Sequence, residues 1–512
     1  MYETLLIVSV VIFAGTCVAY ARHPAASAFH PATFYLLFHG FVFVVRPIIV
    51  WFYGYTAIYE EVGFFPTEWE KTQVLICTNL ALVVFMAVVL AIGREPIRFR
   101  QDRADEESRR LLLRRFWFIA PPLALLGLSA TLYMWEVRAQ GLSLSQFDTR
   151  TGAMALNQVN GYYISAVGLL TTLAAMIVYL GRFRLWTLIP FLAFAVLGFG
   201  SGARGYVVAS ALMLAVLYLF ERRRRWPNWV LPLAAIPLLL GFTAVRDDRG
   251  GAIRESFGVE NRQFRQQWQD EATIMEGMDF ANMEFFEFLV WSIPNRTGSY
   301  DYFLNNLQLL TEPIPRALWP GKPVGPPIKL FELYRYSTPL GLTNSMPGMG
   351  WFNLGYAGVV IWSALFAAIY GYGYRAFAAG RQGTIAVLAY AVFLSTSLVA
   401  FRDGSLLTIL KQLLFYFLPV GILWLAARAT GVWPAGALRG RDAGAGGAGG
   451  TAPGNGDPLP LSARARRRLA ASAAEAPPAL APLLDPALAT RAATAPARMS
   501  PRQRRQARIG GA

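Results

Sequence analysis

The chain has 512 residues, a mean hydropathy of +0.38 and 15% charged residues, whereas soluble domains contain roughly 25%. This composition excludes an ordinary soluble enzyme and indicates a polytopic membrane protein. The net charge of +16 does not indicate a nucleic-acid partner, because half of it lies in one C-terminal segment rather than on a solvated face shared with aromatic residues.

Eleven apolar stretches approach the length that crosses a membrane as a helix, since about 20 residues span a hydrocarbon core of roughly 30 Å. In chain order they lie at 3–20, 31–53, 73–93, 116–134, 161–181, 185–200, 206–220, 229–245, 351–373, 383–400 and 405–427. The sixth and seventh are short, and the glycine-rich turn between them favours a tight helical hairpin. We therefore predict an all-α membrane domain at 1–430 with about eleven transmembrane helices, within a range of 10–12.

Basic residues are concentrated in short loops on one side of these predicted spans. They lie within 94–115, 182–184, 222–225 and 375–381. Lysine and arginine near the ends of spans are retained in the cytoplasm. The pattern predicts a multi-pass protein with its N-terminus outside and its C-terminus in the cytoplasm.

One long segment, 246–350, falls on the predicted outer side and is too long to be a simple connector. It has ten basic and thirteen acidic residues, and its aromatic and leucine-rich stretches lie at 280–291 and 300–309. These stretches favour short amphipathic helices that lie on the outer membrane–water interface. We expect one large structured outer loop.

The C-terminal segment 431–512 consists largely of alanine, glycine, proline and arginine, without a helical period. This composition is typical of disorder. Its twelve arginines exceed its four acidic residues by eight. We expect a disordered cytoplasmic tail that contacts anionic lipid headgroups; the alternative is a tail that binds a partner.

Cysteines and metal-ligand patterns give no sign of a cofactor. Cys17 and Cys77 lie inside apolar stretches, where neither a disulfide nor a zinc site has support. No group of histidine, cysteine and aspartate residues has the spacing of metal ligands, and the outer loop contains no Asp-x-Asp pair. The sequence therefore predicts no metal and no other cofactor.

Four stretches on the predicted outer side carry a family resemblance. They read Gly198-Phe-Gly-Ser-Gly-Ala-Arg-Gly205, Ile314-Pro-Arg-Ala-Leu-Trp-Pro-Gly-Lys-Pro323, Asn344-Ser-Met-Pro-Gly-Met-Gly-Trp-Phe-Asn-Leu-Gly-Tyr-Ala-Gly358 and Phe401-Arg-Asp-Gly404. With the many-span plan and the single large outer loop, the chain resembles bacterial oligosaccharide repeat unit polymerases, the Wzy-type O-antigen polymerases. The resemblance covers about 1–430 in plan, and its motifs lie between 198 and 404.

The resemblance implies a GT-C-like membrane glycosyltransferase in the bacterial cytoplasmic (inner) membrane. Such an enzyme polymerises undecaprenyl-diphosphate-linked oligosaccharide repeat units into O-antigen, capsular or exopolysaccharide chains on the outer face of that membrane. The implied partners are these lipid-linked oligosaccharides, membrane lipid, and a chain-length regulator and a flippase of the same pathway.

A glycosyl donor of this kind needs cations that hold the diphosphate and neutralise it as the glycosidic bond breaks, and arginine suits phosphate oxygens. Arg204 lies in a glycine-bracketed turn whose backbone N–H groups can approach an anion; its alternative is a hairpin tip. Arg316 and Lys322 lie in a proline-stiffened segment. The alternative there is a structural turn packed by Trp319, which we also place among the substrate-binding residues.

Three further arginines are candidates for substrate binding, and each has a structural alternative. Arg402 is followed by Asp403, so an ion pair at the membrane edge competes with a functional role. Arg296 either contacts substrate or extends to the interface. Arg46 interrupts the second span, where a charge is costly, and either reaches a lipid-diphosphate cavity or caps a kink at Pro47.

Transfer to a sugar hydroxyl also benefits from a general base, which is usually a carboxylate. We prefer Asp301 for this role. Glu284, Glu287 and Asp403 are the alternatives, although Glu284 and Glu287, spaced i and i+3, equally fit one solvated helix face.

Three other functions compete with a polymerase. The related O-antigen ligases are known for a histidine outside the membrane, whereas the histidines here are His23, His30 and His39, none of them in the long loop. A flippase or secondary transporter commonly shows internal repeats, and this chain has no matching halves. A non-catalytic assembly subunit is the third alternative.

Overall fold

Helices dominate the fold, and no strand occurs in the part of the chain that is described. The structure is a computed structural model that describes residues 1–99, 103–139, 161–202, 204–244, 250–259, 281–314, 318–323, 325–337 and 343–429. The chain divides into two units, Met1–Ala435 and Gly436–Ala512. All described residues belong to the first unit, so the predicted tail at 431–512 lies outside them.

Eighteen α-helices are numbered here in chain order. They are α1 (Tyr2–Ala21), α2 (Pro31–His39), α3 (Arg46–Tyr53), α4 (Ala57–Val62), α5 (Glu68–Ile92), α6 (Arg103–Ala139), α7 (Gly161–Ser165), α8 (Val167–Leu180), α9 (Leu185–Gly200), α10 (Arg204–Glu221), α11 (Val230–Ala244), α12 (Gly251–Ser256), α13 (Asn282–Ser292), α14 (Gln308–Thr311), α15 (Met346–Ala379), α16 (Thr384–Ser395), α17 (Ser397–Asp403) and α18 (Leu406–Ala429). A π-helical segment, Gly40–Val45, joins α2 to α3. Short 3₁₀ helices lie at Leu304–Leu307 and Leu333–Arg335.

Nine helical segments within the described residues are long and apolar enough to cross a membrane. They are Tyr2–Ala21, Pro31–Tyr53, Glu68–Ile92, Glu107–Ala139, Tyr163–Leu180, Arg204–Glu221, Met346–Ala379, Thr384–Asp403 and Leu406–Ala429. The described part of the chain is therefore all-helical and membrane-embedded, as predicted. The other two predicted spans are also helical, but α9 and α11 have only 16 and 15 residues.

The centre of the bundle is formed by α8, which contacts α6, α9, α10 and α18. All of its residues except Leu170 are buried. A helix that is apolar all round belongs in a core rather than on a surface. A second long contact runs between α5 and α15.

The helix α15 contains a sharp reversal rather than a continuous rod. Leu354 and Gly355 have non-helical backbone angles, and Gly355 (φ +60°, ψ −140°) is in a region that only glycine adopts readily. The turn brings Gly350 against the backbone of Gly358 and Val359. The first part of α15 is thus folded back against the part that crosses the membrane.

The helix α13 corrects one prediction about the long loop. Its aromatic sequence was expected to lie on the membrane–water interface, but the helix is buried from Asn282 to Val290 and packs against α5 and α15. The interfacial prediction is wrong here because both glutamates of α13 form hydrogen bonds with buried partners. All faces of the helix can therefore be buried.

Candidate functional site

Two cavities lie at the same end of the helical bundle. One is lined by residues from the N-terminal ends of α1 and α5 and from the length of α3, and we call it the α13 cavity because α13 forms one of its walls. The other, the hairpin cavity, is lined by the N-terminal turns of α10 and α18. The N-terminus of α13 connects the two regions, since Asn282 Nδ2 donates a hydrogen bond to the carbonyl oxygen of Arg402 (3.0 Å).

Arg46 is buried and forms an ion pair in the wall of the α13 cavity. The cavity has a volume of about 320 Å³. The Arg46 Nε donates to Glu284 Oε1 at 2.8 Å, and both side chains are only 3% exposed. The π-helical segment ends immediately before Arg46, and Pro47 has no N–H with which to continue the regular hydrogen-bond pattern. Arg46 therefore lines a cavity and lies between the π-helical segment and Pro47, whereas its contact with a lipid diphosphate stays a prediction.

The second glutamate of α13, Glu287, lies in the same wall and accepts a hydrogen bond from the Tyr59 hydroxyl at 2.7 Å. It is 2% exposed. Burial raises the pKa of Glu287 to about 8; the Tyr59 hydrogen bond opposes this rise and the neighbouring Glu284 adds to it. A carboxyl group with a pKa near neutrality suits proton transfer. The interpretation of Glu284 and Glu287 as a solvated helix face is wrong.

The hairpin cavity has a volume of about 270 Å³ and combines one cation with aromatic walls. Lys411, at the start of α18, lines it together with Gly205, Phe415 and two tyrosines. The rings of Tyr206 and Tyr416 are stacked, with centroids 6.2 Å apart. The last residue of the glycine-rich stretch 198–205, Gly205, thus lines this cavity.

Arg204 is the first residue of α10 and is half-buried directly beside Gly205 of this cavity. The N-terminal end of a helix carries unpaired N–H groups that favour an anion. Arg316 lies outside the described residues. Trp319 is described and half-buried, and its carbonyl accepts a hydrogen bond from the Lys322 backbone (3.0 Å).

Lys322 joins the long loop to α18 through a shared carboxylate. Its ammonium group donates to the carbonyl oxygens of Glu312 (2.9 Å) and Ile314 (3.1 Å) and lies 3.8 Å from the Glu312 carboxylate. Lys411 lies 2.6 Å from the same carboxylate. Burial raises the pKa of Glu312, but its contacts with Lys411, Gln308 and Lys322 outweigh that effect and leave the pKa below its ordinary value. Lys322 therefore holds the loop that borders the cavity.

Arg402 lies at the end of α17, one turn after Val399 of the hairpin cavity. Its backbone carbonyl also accepts a hydrogen bond from Ser345 N–H (2.8 Å). Gly404 follows at φ +67° against the Ser345 carbonyl, so a side chain at position 404 would overlap backbone atoms. These contacts join the stretch before α15 to the stretch after α17.

The Arg402 guanidinium group interacts electrostatically with the neighbouring Asp403 carboxylate. Arg402 is half-buried, and its Nε has no hydrogen-bond partner among the described residues. The Asp403 carboxylate accepts a hydrogen bond from the Thr408 hydroxyl (3.1 Å). The Nε–H group of Arg402 is thus a buried donor without an acceptor among the described residues, three positions after Val399 of the cavity lining.

Asp301 is placed by the structure in a turn and lines neither cavity. Its carboxylate accepts a hydrogen bond from the Asn305 backbone N–H (2.8 Å) at the start of a 3₁₀ helix. Burial raises its pKa, and this hydrogen bond opposes the rise. The contacts of Asp301 are those of a turn-stabilising residue, so Glu284 and Glu287 are better placed to act on a ligand.

Arg296 is exposed and lies over the ring of Trp291, with 3.5 Å between the guanidinium carbon and the ring centroid. It also donates a hydrogen bond to the Trp291 carbonyl. This stacked arrangement keeps Arg296 out of the lining of both cavities.

The cations that sequence reasoning missed are Lys71 and Lys411; a third lysine, Lys322, was predicted. Only four lysines occur in this arginine-rich chain, at 71, 322, 329 and 411. Lys71 lines the α13 cavity, Lys411 lines the hairpin cavity, and Lys322 holds the adjoining loop. The rarity of lysine was the signal that could have identified them.

Comparisons with known proteins do not identify a function for these cavities. No protein-family model, curated protein or solved structure matches the chain. Within the described residues, no group of histidine, cysteine, aspartate and glutamate side chains could hold a metal ion.

Proposed function

We propose that the protein is a membrane glycosyltransferase that polymerises undecaprenyl-diphosphate-linked oligosaccharide repeat units. In this proposal it resides in the cytoplasmic membrane of a bacterium, with the N-terminus and the long loop outside and the C-terminus in the cytoplasm. The positions of the basic loops in the sequence support this orientation.

One observation carries the proposal: the four stretches that resemble repeat unit polymerases converge around the hairpin cavity. Gly205 lines it, and the loop that contains Lys322 is tied to Lys411 in its wall. Ser345 N–H donates a hydrogen bond to the carbonyl oxygen of Arg402, three residues after Val399 of the lining. The first stretch, which ends at Gly205, thus meets stretches that begin more than 100 residues later in the sequence.

This arrangement suits a diphosphate-linked donor. The acceptor hydroxyl attacks the anomeric carbon, its proton passes to a carboxylate, for which Asp403 beside Arg402 is the candidate in these stretches, and the bond to the diphosphate breaks, so that the lipid diphosphate leaves with the bonding electrons. Arg204, Arg402 and Lys411 provide positive charge where negative charge accumulates on the leaving group. Because Arg204 and Arg402 lie at the ends of helices and Lys411 lies within one, little reorganisation is needed during the reaction.

The deciding experiment is deletion of the gene followed by gel analysis of surface polysaccharide. We expect single-repeat products in place of long chains, and restoration of long chains by the wild-type gene. Arg204→Ala and Lys411→Met should fail to restore them, whereas Arg335→Ala should succeed, because Arg335 is 71% exposed in the same loop and forms an ion pair with nearby Glu332. Immunoblots of membrane fractions control for the amount of inserted protein.

Each other outcome of the deletion contradicts the proposal in a recognisable way. Unattached, carrier-linked polymer would identify a ligase, and intracellular accumulation of lipid-linked single units would identify a flippase. Normal chain length in both cavity variants would exclude the hairpin cavity as the site of transfer.

A further inference from the structure

We propose that the α13 cavity is a carbohydrate-binding site in which the buried carboxylate of Glu284 accepts a hydrogen bond from a sugar hydroxyl. Aromatic side chains at the mouth of the cavity would pack against the sugar ring. This inference rests on the proposed function for the identity of the oligosaccharide, but the binding site itself is argued from the geometry of the cavity.

The first observation is a buried acceptor atom that lacks a donor. Glu284 Oε1 accepts hydrogen bonds from Arg46, whereas Oε2 is buried and has no hydrogen-bond partner among the described residues. The side chain is 3% exposed and forms part of the cavity wall. An unsatisfied buried carboxylate oxygen is costly. A sugar hydroxyl that reaches this atom from the cavity would supply the missing donor.

The second observation is the concentration of aromatic rings around the same space. Tyr2, Trp51, Tyr55, Tyr59 and Phe65 all line the α13 cavity. The C–H faces of a sugar ring are apolar and pack against aromatic side chains, while its hydroxyl groups donate to carboxylates. Aromatic walls with a few placed polar groups are also the usual construction of a small-molecule site.

The α13 cavity differs from the hairpin cavity in the charge of its lining residues. Its carboxyl groups are Glu3, Glu68, Glu284 and Glu287, and its cations are Arg46 and Lys71. An excess of carboxyl groups disfavours a phosphate or diphosphate. Because no set of described side chains could hold a metal ion, a neutral molecule with hydroxyl donors fits the site better than an anion or a metal.

The size of the cavity limits the ligand. Its volume of about 320 Å³ lies at the lower end of the roughly 300–1,000 Å³ that small-molecule sites occupy. One or two sugar rings fit such a space, whereas a complete repeat unit with its lipid does not. The site would therefore hold one part of the oligosaccharide.

The test is saturation-transfer NMR on the full chain in lipid nanodiscs. The probes are a panel of neutral monosaccharides (glucose, galactose, N-acetylglucosamine and rhamnose) and oligosaccharides from partial acid hydrolysis of the native cell's surface polysaccharide. We expect transfer to the ring protons of at least one probe. Trp51→Ala should weaken its binding at least tenfold, whereas Trp69→Ala, at an equally exposed tryptophan outside the lining, should not.

A second variant tests the role of Glu284 without leaving a buried arginine unpaired. In Arg46→Met/Glu284→Met both charges are replaced by side chains of similar length, and the orphan oxygen is removed. We expect at least a tenfold loss of sugar binding with retained folding, as judged by size-exclusion chromatography. A folded double variant that binds as well as the wild type would overturn the proposal.

The remaining outcomes separate this proposal from the proposed function. If no probe binds the wild-type protein, or if spermidine binds and Trp51→Ala abolishes that binding, the carbohydrate assignment is wrong even when gene deletion shortens the polysaccharide. If deletion leaves the polysaccharide unchanged while a monosaccharide binds in a Trp51-dependent manner, the polymerase proposal fails and the binding site stands.

Discussion

Arg46 and Glu284 form an ion pair that is almost completely removed from water. A charge in such a position is tolerated only with its partner, because the energetic cost of burying an isolated charge is large. The pair fixes α3 against α13 and positions the free oxygen of Glu284 at the cavity. The ion pair therefore determines how α3 packs against α13 and also stabilises that packing.

Removing one member of this pair should be worse than removing both. We expect Arg46→Met to reduce the stability of the fold by about 3–5 kcal/mol, since it leaves the Glu284 carboxylate buried without compensation. The double variant Arg46→Met/Glu284→Met should regain most of that loss. Thermal unfolding in detergent, followed by size-exclusion chromatography, measures both effects.

The exposed pair Arg335–Glu332 provides the control for this comparison. Its arginine side chain is 71% exposed, and exposed pairs contribute about 0–1 kcal/mol. Arg335→Met should therefore leave the unfolding midpoint nearly unchanged. A double variant of the buried pair that is as unstable as Arg46→Met would show that the packing, rather than the charge, was lost.

Glu287 predicts a dependence of stability on pH. Its pKa of about 8 in the folded protein is above the ordinary value of 4.5, so the folded state binds an extra proton between these pH values. The contribution of Glu287 to stability is then complete below about pH 4.5 and is lost as the pH rises through about 8. The titratable and charged groups that face this carboxyl are Tyr2, Arg46, Tyr59, Glu70, Lys71 and Glu284.

The Glu287→Gln variant isolates this effect from the other titrating groups. We expect the unfolding midpoint of the wild-type protein to fall between pH 5 and pH 8.5 relative to that of the variant. Burial lowers the pKa of His30 to about 4, which gives stability the opposite trend, but that contribution is common to both proteins. Parallel pH profiles would contradict the assignment of the raised pKa to Glu287.

Among the elements, α13 shows what hydrophobic patterning can and cannot predict. The spans at 3–20 and 351–373 were recognisable because length and apolar composition alone define a membrane helix. The position of α13 depends on Arg46 and Tyr59, which lie more than 200 residues earlier in the sequence. A pattern of local hydrophobicity carries no information about such partners, so a buried helix resembled an interfacial one.

The reversal within α15 depends on Gly355, and this gives a prediction for that element. Gly355→Ala would place a side chain at φ +60°, ψ −140° and bring a Cβ within 2.8 Å of the Tyr300 hydroxyl oxygen. A residue forced into this region costs about 1–3 kcal/mol. We expect a correspondingly lower unfolding midpoint and loss of long-chain polysaccharide.

A matched glycine in another membrane helix serves as the control. Gly421 lies inside α18, and an added Cβ would meet no atom within 4 Å. Alanine is favoured over glycine in a helix by about 0.5–1 kcal/mol, so Gly421→Ala should not destabilise the protein. Equal behaviour of the two variants would show that the backbone of Gly355 is not constrained.

At the scale of the whole molecule, alternation of the helices places both cavities at one end of the bundle. The sequence predicted that the motif stretches share one side, because an even number of spans separates most of them. It could not predict that Glu312 would be held between two lysines or that Asp301 would stabilise a turn. Those assignments depend on side-chain geometry that spacing along the chain does not determine.

The proposed orientation leads to a prediction about chemical access. In a variant that lacks Cys17 and Cys77, a cysteine at position 318 should react with a membrane-impermeant maleimide in intact cells, since Leu318 is 79% exposed in the long loop. A cysteine at position 224, in the exposed basic turn after α10, should react only after lysis. The reverse labelling pattern would place the cavities in the cytoplasm.

The reversal within α15 also determines how much of this helix crosses the membrane. A straight helix of its 34 residues would be about 51 Å long at 1.5 Å per residue, well beyond a hydrocarbon core of about 30 Å. After the reversal, about 36 Å of helix is left to cross the membrane. The residues before Gly355 turn back towards the bilayer, and Ser345, which precedes them, is hydrogen-bonded to Arg402. A single glycine thus matches the length of the crossing helix to the thickness of the membrane and also sets the position of the Ser345–Arg402 contact.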